Sequence, residues 1–152
     1  MYRLILFIFM TFVLLFFGCS PDDEHIDTGF IPVGEWVSQY DKYIITNTHI
    51  HYSMDNSEWD LPDDVLKGNI ERAIDFSDNS GVLIIRITEA TWFTVNNFTG
   101  LYYSEYSKSS IKMTQAYEGF DPVETASLSA ALSLFTVDNA GDHTAMWGTY
   151  TK

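Results

Sequence analysis

The side chains whose types and spacing could do chemistry are led by His49 and His51. Residues two apart on a strand project from the same face, so both imidazoles would meet one metal ion, with Asp55 as a third ligand. The stretch 48–53 alternates, however, and Ile50 and Tyr52 take its apolar face, which turns His49 and His51 towards solvent. Acidic residues Asp55, Glu58, Asp60, Asp63 and Asp64 crowd one loop without the spacing of a calcium-binding loop. Arg72 and Arg86 stand among apolar residues on adjacent predicted strands. They are expected to pair with Glu71, Asp75 or Glu89, or else to present positive charge inside a barrel. No G-x-S-x-G elbow, H-E-x-x-H, phosphate loop or dinucleotide fingerprint occurs. No catalytic residue and no cofactor is therefore assigned. The remaining reactive group is Cys19, the single cysteine among 152 residues.

Cys19 closes an unusual N-terminal stretch. After Arg3, residues 4–17 are apolar except for Thr11, then Gly18 and Cys19 lead into Ser20-Pro21-Asp22-Asp23-Glu24. This run is short for a membrane-crossing helix, which needs about 20 apolar residues, and it suits the apolar core of an export signal. With Phe16-Phe17-Gly18-Cys19 read as a lipobox, the segment resembles a bacterial lipoprotein signal. Phe16 replaces the leucine usual there. The resemblance implies cleavage before Cys19, and attachment of diacylglycerol and a further acyl chain such as palmitate to that residue. It also implies anchorage in the cell envelope, with the outer membrane favoured over the inner. A lone thiol fits this reading, because exported chains normally pair their cysteines. The chain then divides into a signal at 1–18, the lipidated cysteine and an acidic tether at 19–32, and a domain at 33–152.

The net charge of −13 disfavours nucleic acid and anionic headgroups as partners. The domain reads as mainly β. Short strands are expected around Trp36, at 42–46, 48–53, 66–76, 82–88, 101–106 and 111–117, and at 143–150. The hairpin 66–76/82–88 is the best marked, and its second strand is apolar enough to be buried on both faces. In the first, Ile70, Arg72, Ile74 and Phe76 share a face by strict alternation. Asp121-Pro122-Val123-Glu124 has the form of a helix start, and Leu128, Ala131, Leu132 and Phe135 recur at helical spacing. About eight consecutive antiparallel strands, with one helix before the last, predict an up-and-down barrel.

Gly34-Glu35-Trp36 and Asp41-Lys42-Tyr43-Ile44-Ile45-Thr46, with the late helix and Trp147, resemble the lipocalin-like (calycin) barrels, especially small spirochaete-type lipoproteins. The resemblance implies Trp36 as a plug at the barrel base. It also implies an apolar cavity, lined by residues such as Ile70, Ile74, Ile84 and Tyr103, that takes a small apolar ligand. Three functions follow as expectations. The first is a lipid-anchored, non-enzymatic barrel that binds a small apolar ligand or a partner. The second is a structural or host-facing surface protein with a filled barrel. The third is a metal-dependent enzyme built on His49 and His51.

Overall fold

A computed structural model describes residues 29–55, 63–142 and 147–152. The strands are β1 (Gly34–Val37), β2 (Asp41–Ile45), β3 (His49–Met54), β4 (Asp64–Ser77), β5 (Ser80–Ala90), β6 (Phe98–Ser104) and β7 (Ser110–Gln115). A small hairpin, β8 (Tyr117–Glu118) with β9 (Asp121–Pro122), precedes helix α1 (Leu128–Leu134) and β10 (Gly148–Thr151). Strands β1 to β7 pair in chain order, and β10 sits between β7 and β1 to close an eight-stranded antiparallel barrel. Closure removes the exposed strand edges that an open sheet would leave.

Alternation along the strands separates two apolar layers. The barrel interior receives side chains from all eight strands: Trp36, Tyr43, Ile45, Ile50, Ala73, Leu83, Ile85, Leu101, Tyr103, Ile111, Met113 and Tyr150. Each is between 0 and 4% exposed. A residue on the wall of a ligand-sized cavity keeps surface that water can touch, and these keep almost none. The second layer lies outside the barrel, where Val82, Ile84 and Tyr102 meet Ala131 and Phe135 of the helical segment. Strand β5 is therefore buried on both faces, with Leu83 and Ile85 inward and Val82 and Ile84 under the helix.

One irregularity decides which residues fall in which layer. Pairing of β4 with β5 slips between Ile70 and Arg72. A β-bulge of this kind reverses the in–out alternation beyond it. Ile70 packs against the interior and so does Ala73, whereas Ile74 and Phe76 belong to the outer layer. Strict alternation had placed Ile70, Arg72, Ile74 and Phe76 together, and the bulge divides them.

The helix starts later than its sequence signature predicts. Asp121 and Pro122 are in β9, paired with Glu118 and Tyr117. The N-cap is Ser127, whose side chain accepts the Ala130 N–H at 3.2 Å. Residues 121–125 are held elsewhere: Thr125 exchanges backbone hydrogen bonds with Phe98, and Thr99 Oγ1 donates to Val123 O. Gly100 lets the segment sit close, since a Cβ there would lie 3.0 Å from the Phe135 ring.

Tyr102, beneath the helix, has a buried hydroxyl with no hydrogen-bond partner among the described residues. Burial pushes this phenol up to about 12. An orphaned buried hydroxyl is destabilising, so Tyr102→Phe should raise stability by about 1 kcal/mol. Equal or lower stability in urea titrations would mean that the hydroxyl is satisfied.

The barrel has two unlike ends. At the near end lie the turns 46–48, 78–79 and 105–109 and the terminal Lys152. The segment 29–33 seals this end. Gly29 N–H donates to Ala73 O and Phe30 N–H to Asp75 Oδ1, both at 2.9 Å. The Phe30 ring meets Tyr106 at 4.6 Å, and Trp36 Nε1 donates to Pro32 O at 2.8 Å. Residues 29–32, expected as the end of the tether, are part of the folded barrel. The far end carries the turn 38–40, the end of β3 and the start of β4, the loop 91–97 and the β8–β9 hairpin.

Candidate functional site

The sequence-derived candidates do not assemble into one site. Cys19 and the lipobox lie outside the described residues, as do Glu58 and Asp60 of the acidic loop and His143 to Met146 of the expected last strand. His49 is exposed and His51 half-buried on the outer face of β3, as the alternation predicts. His49 Nδ1 is 2.6 Å from Thr48 Oγ1, and Lys67 stands opposite His51 in β4. Among the described residues no group of three His, Cys, Asp or Glu could hold a metal ion.

The four expected cavity residues are split. Ile70 and Tyr103 belong to the interior, while Ile74 and Ile84 pack in the outer layer. They cannot line one cavity, because the bulge turns Ile74 outward and β5 alternation does the same for Ile84. Arg86 is exposed on the outside of β5. Arg72 Nη1 donates to Glu71 O at 2.7 Å.

The far end offers a different site. Asp64, Trp92, Tyr117, Phe120, Asp121 and Pro122 line an open cleft of about 470 Å³. That volume lies within the range of small-ligand sites. Asp64 begins β4, Trp92 opens the loop after β5, and the rest come from the β8–β9 hairpin. Trp92 is 64% and Phe120 90% exposed. Trp92 Nε1 donates to Asp64 Oδ1. The loop behind the indole is fastened by Val65 N–H to Thr91 Oγ1 at 3.0 Å and by Thr91 N–H to Val65 O at 2.9 Å.

Tyr117 connects the cleft to the barrel interior. Its ring stands edge-on to Phe93, with centroids 6.0 Å apart, and its hydroxyl donates to Gln115 Oε1 at 3.4 Å. Gln115 Nε2 in turn donates to Tyr43 OH at 3.2 Å. The Tyr43 ring packs on Tyr52 and Tyr150, and Tyr150 OH donates to Asp41 Oδ2 at 2.7 Å. Burial raises the Tyr117 phenol, and Asp64 raises it further. Burial also raises Tyr43, Tyr52 and Tyr150. These hydroxyls stay protonated at physiological pH, where they serve as hydrogen-bonding groups and not as bases. The cleft combines aromatic faces with carboxylates, which suits recognition of a cation.

Glu124 fixes the loop that carries Trp92. Its carboxylate accepts from Thr94 N–H at 2.7 Å and from Asn97 Nδ2 at 2.9 Å. Burial alone would raise this carboxyl, but the hydrogen bonds from Thr94 and Asn97 outweigh it and lower its pKa. A lowered folded-state pKa gives stability that is present above the unfolded value and lost as pH falls through the folded one. Glu124→Gln should therefore cost about 1 kcal/mol at neutral pH, a modest value because the group is only part-buried. The gap from wild type should close below the ordinary glutamate value of about 4.3. Urea unfolding of both proteins across the acid range measures it, and a gap that does not change with pH refutes the assignment.

No protein-family model matches the chain, and no curated protein or solved structure matches it. Among the described residues no helix is long and apolar enough to cross a membrane. Trp92 and Phe120 escaped the sequence reading because 91–98 had no clear period and Phe120 fell between two predicted elements. The available signal was a large aromatic in each of two polar turns.

Proposed function

We propose that this is a lipid-anchored, non-enzymatic protein of the bacterial cell envelope, whose filled barrel acts through its outer surface on a partner protein. Cys19 carries the anchor in this reading, and the barrel is a rigid platform. The observation that favours it over a carrier of small apolar ligands is the interior, where twelve side chains from all eight strands are at most 4% exposed. The exposed aromatics of the far end supply a contact surface of the kind found at interfaces, where Trp, Tyr and Phe are enriched.

Two measurements test the reading. Cells supplied with labelled palmitate should label the wild-type chain and not Cys19→Ser, and label on the variant would overturn the anchor. Native mass spectrometry of the protein from its own membrane should show the chain with its acyl groups and no other lipid. A retained apolar molecule would restore the carrier function.

A further inference from the structure

We propose that the far-end cleft receives basic side chains, from an arginine- or lysine-rich segment of the partner protein. This rests on the reading that the protein works by surface contact, and it specifies the chemistry of that contact. Trp92 and Phe120 present aromatic surface to solvent, whereas most other aromatic rings among the described residues are buried or half-buried. A guanidinium or ammonium group over an aromatic face gains about 0.5–2 kcal/mol, with Trp the best partner. The hydrogen bond from Trp92 Nε1 to Asp64 holds the indole in place before anything binds. Such preorganisation lowers the ordering cost of association.

Charge complementarity selects the occupant. Asp64 and Asp121 both line the cleft, and among the described residues no basic one does. Glu118, which pairs with Asp121 in the small hairpin, adds a third carboxylate nearby. The chain as a whole carries −13, which steers basic partners towards it and raises their rate of encounter. A second copy of the chain would set carboxylates against carboxylates, and an anionic lipid surface would meet the same repulsion. Phe120 sits beside Gly119 at the hairpin tip, where Gly119 has φ of +66° and no atom near its missing Cβ. The tip therefore stands clear of the barrel and is open to an approaching chain.

The test uses the full-length chain in a zwitterionic detergent and a fluorescein-labelled arginine-rich peptide, read by fluorescence anisotropy. Binding should saturate, weaken as salt is raised, and fall about tenfold or more in Trp92→Ala and in Phe120→Ala. Asp64→Asn with Asp121→Asn should weaken it similarly while keeping an acceptor for the Trp92 N–H. Both aromatics are exposed, and unchanged far-ultraviolet circular dichroism verifies the fold of each variant. Equal binding by wild type and variants would assign the attraction to net charge and overturn the proposal. So would absence of peptide binding, or saturable binding of tetramethylammonium in place of the peptide. The mass-spectrometric test of the interior does not depend on Trp92 or Phe120. Failure of the peptide test with a ligand-free interior removes the basic partner alone, whereas a ligand inside the barrel removes the surface-contact reading.

Discussion

Gly68→Ala should destabilise the barrel by about 3 kcal/mol or more, for the addition of one methyl group. Gly68 lies on β4 beside a register shift, facing inward between Leu66 and Ile70. A Cβ there would stand 2.4 Å from Ile85 Cγ2 and 2.6 Å from the Arg86 carbonyl oxygen. Neither distance is tolerable, and the second involves backbone of the neighbouring strand. The methyl group therefore has to separate β4 from β5, the longest pair in the barrel. Trimming Ile85 to alanine in the same chain should rescue little, because the Arg86 carbonyl remains and a new void appears in the core. Urea unfolding of the single and double variants measures both effects. A Gly68→Ala protein as stable as wild type would mean that the two strands have room between them.

Trp36→Ala should cost about 3–5 kcal/mol, a large share of the 5–15 kcal/mol that holds a typical domain folded. Trp36 is fully buried, with its Nε1 bonded to Pro32 O, its ring 6.0 Å from Tyr106 and Lys152 Nζ 4.4 Å from its centroid. The effect is large because of where the ring sits. Between β1 and β10 the register has Val37 opposite Thr151 and no other pair among the described residues, so the closing seam relies on side chains more than on a long ladder. Trp36→Phe should cost less, retaining most of the buried area but leaving the Pro32 carbonyl without its donor. Lys152→Ala should cost under about 1 kcal/mol, as expected for a cation–π contact at an exposed position. Thermal unfolding should therefore rank the variants alanine, phenylalanine, then Lys152→Ala, with the first most damaged. If Trp36→Ala is no worse than Lys152→Ala, the seam is held by something other than the plug.

Much of the barrel was legible because strand alternation is a local property. Ile50 and Tyr52 against His49 and His51 gave the two faces of β3 correctly, and the continuous apolar run of β5 announced burial on both sides. The count of eight strands, and a helix before the last, followed from turn residues between such runs. Non-local properties were hidden. The bulge after Ile70 arises from how β4 pairs with β5, and it sends Ile74 to the outer layer without any mark in its own neighbourhood. The helix start was misplaced because Asp121, Pro122 and Glu124 have the types and order of a helix N-terminus. Glu124 instead bonds Thr94 and Asn97, and Asp121 and Pro122 join a hairpin. The cleft was invisible for the same reason: Asp64, Trp92 and Phe120 are separated by 28 residues in each step, and the pairing of β4 with β5 and the β8–β9 hairpin bring them to one end.

Under the proposed anchorage through Cys19, the strap at 29–33 would have a mechanical consequence. Tension from such an anchor would reach Gly29 first, then Phe30, and only afterwards Pro32 and β1. The hydrogen bonds from Gly29 to Ala73 and from Phe30 to Asp75 would then be loaded in succession. The Pro32 carbonyl, gripped by the indole of Trp36, is the last stop before force enters the sheet. In that reading the strap would yield before the sheet, at the end of the barrel opposite the far-end cleft.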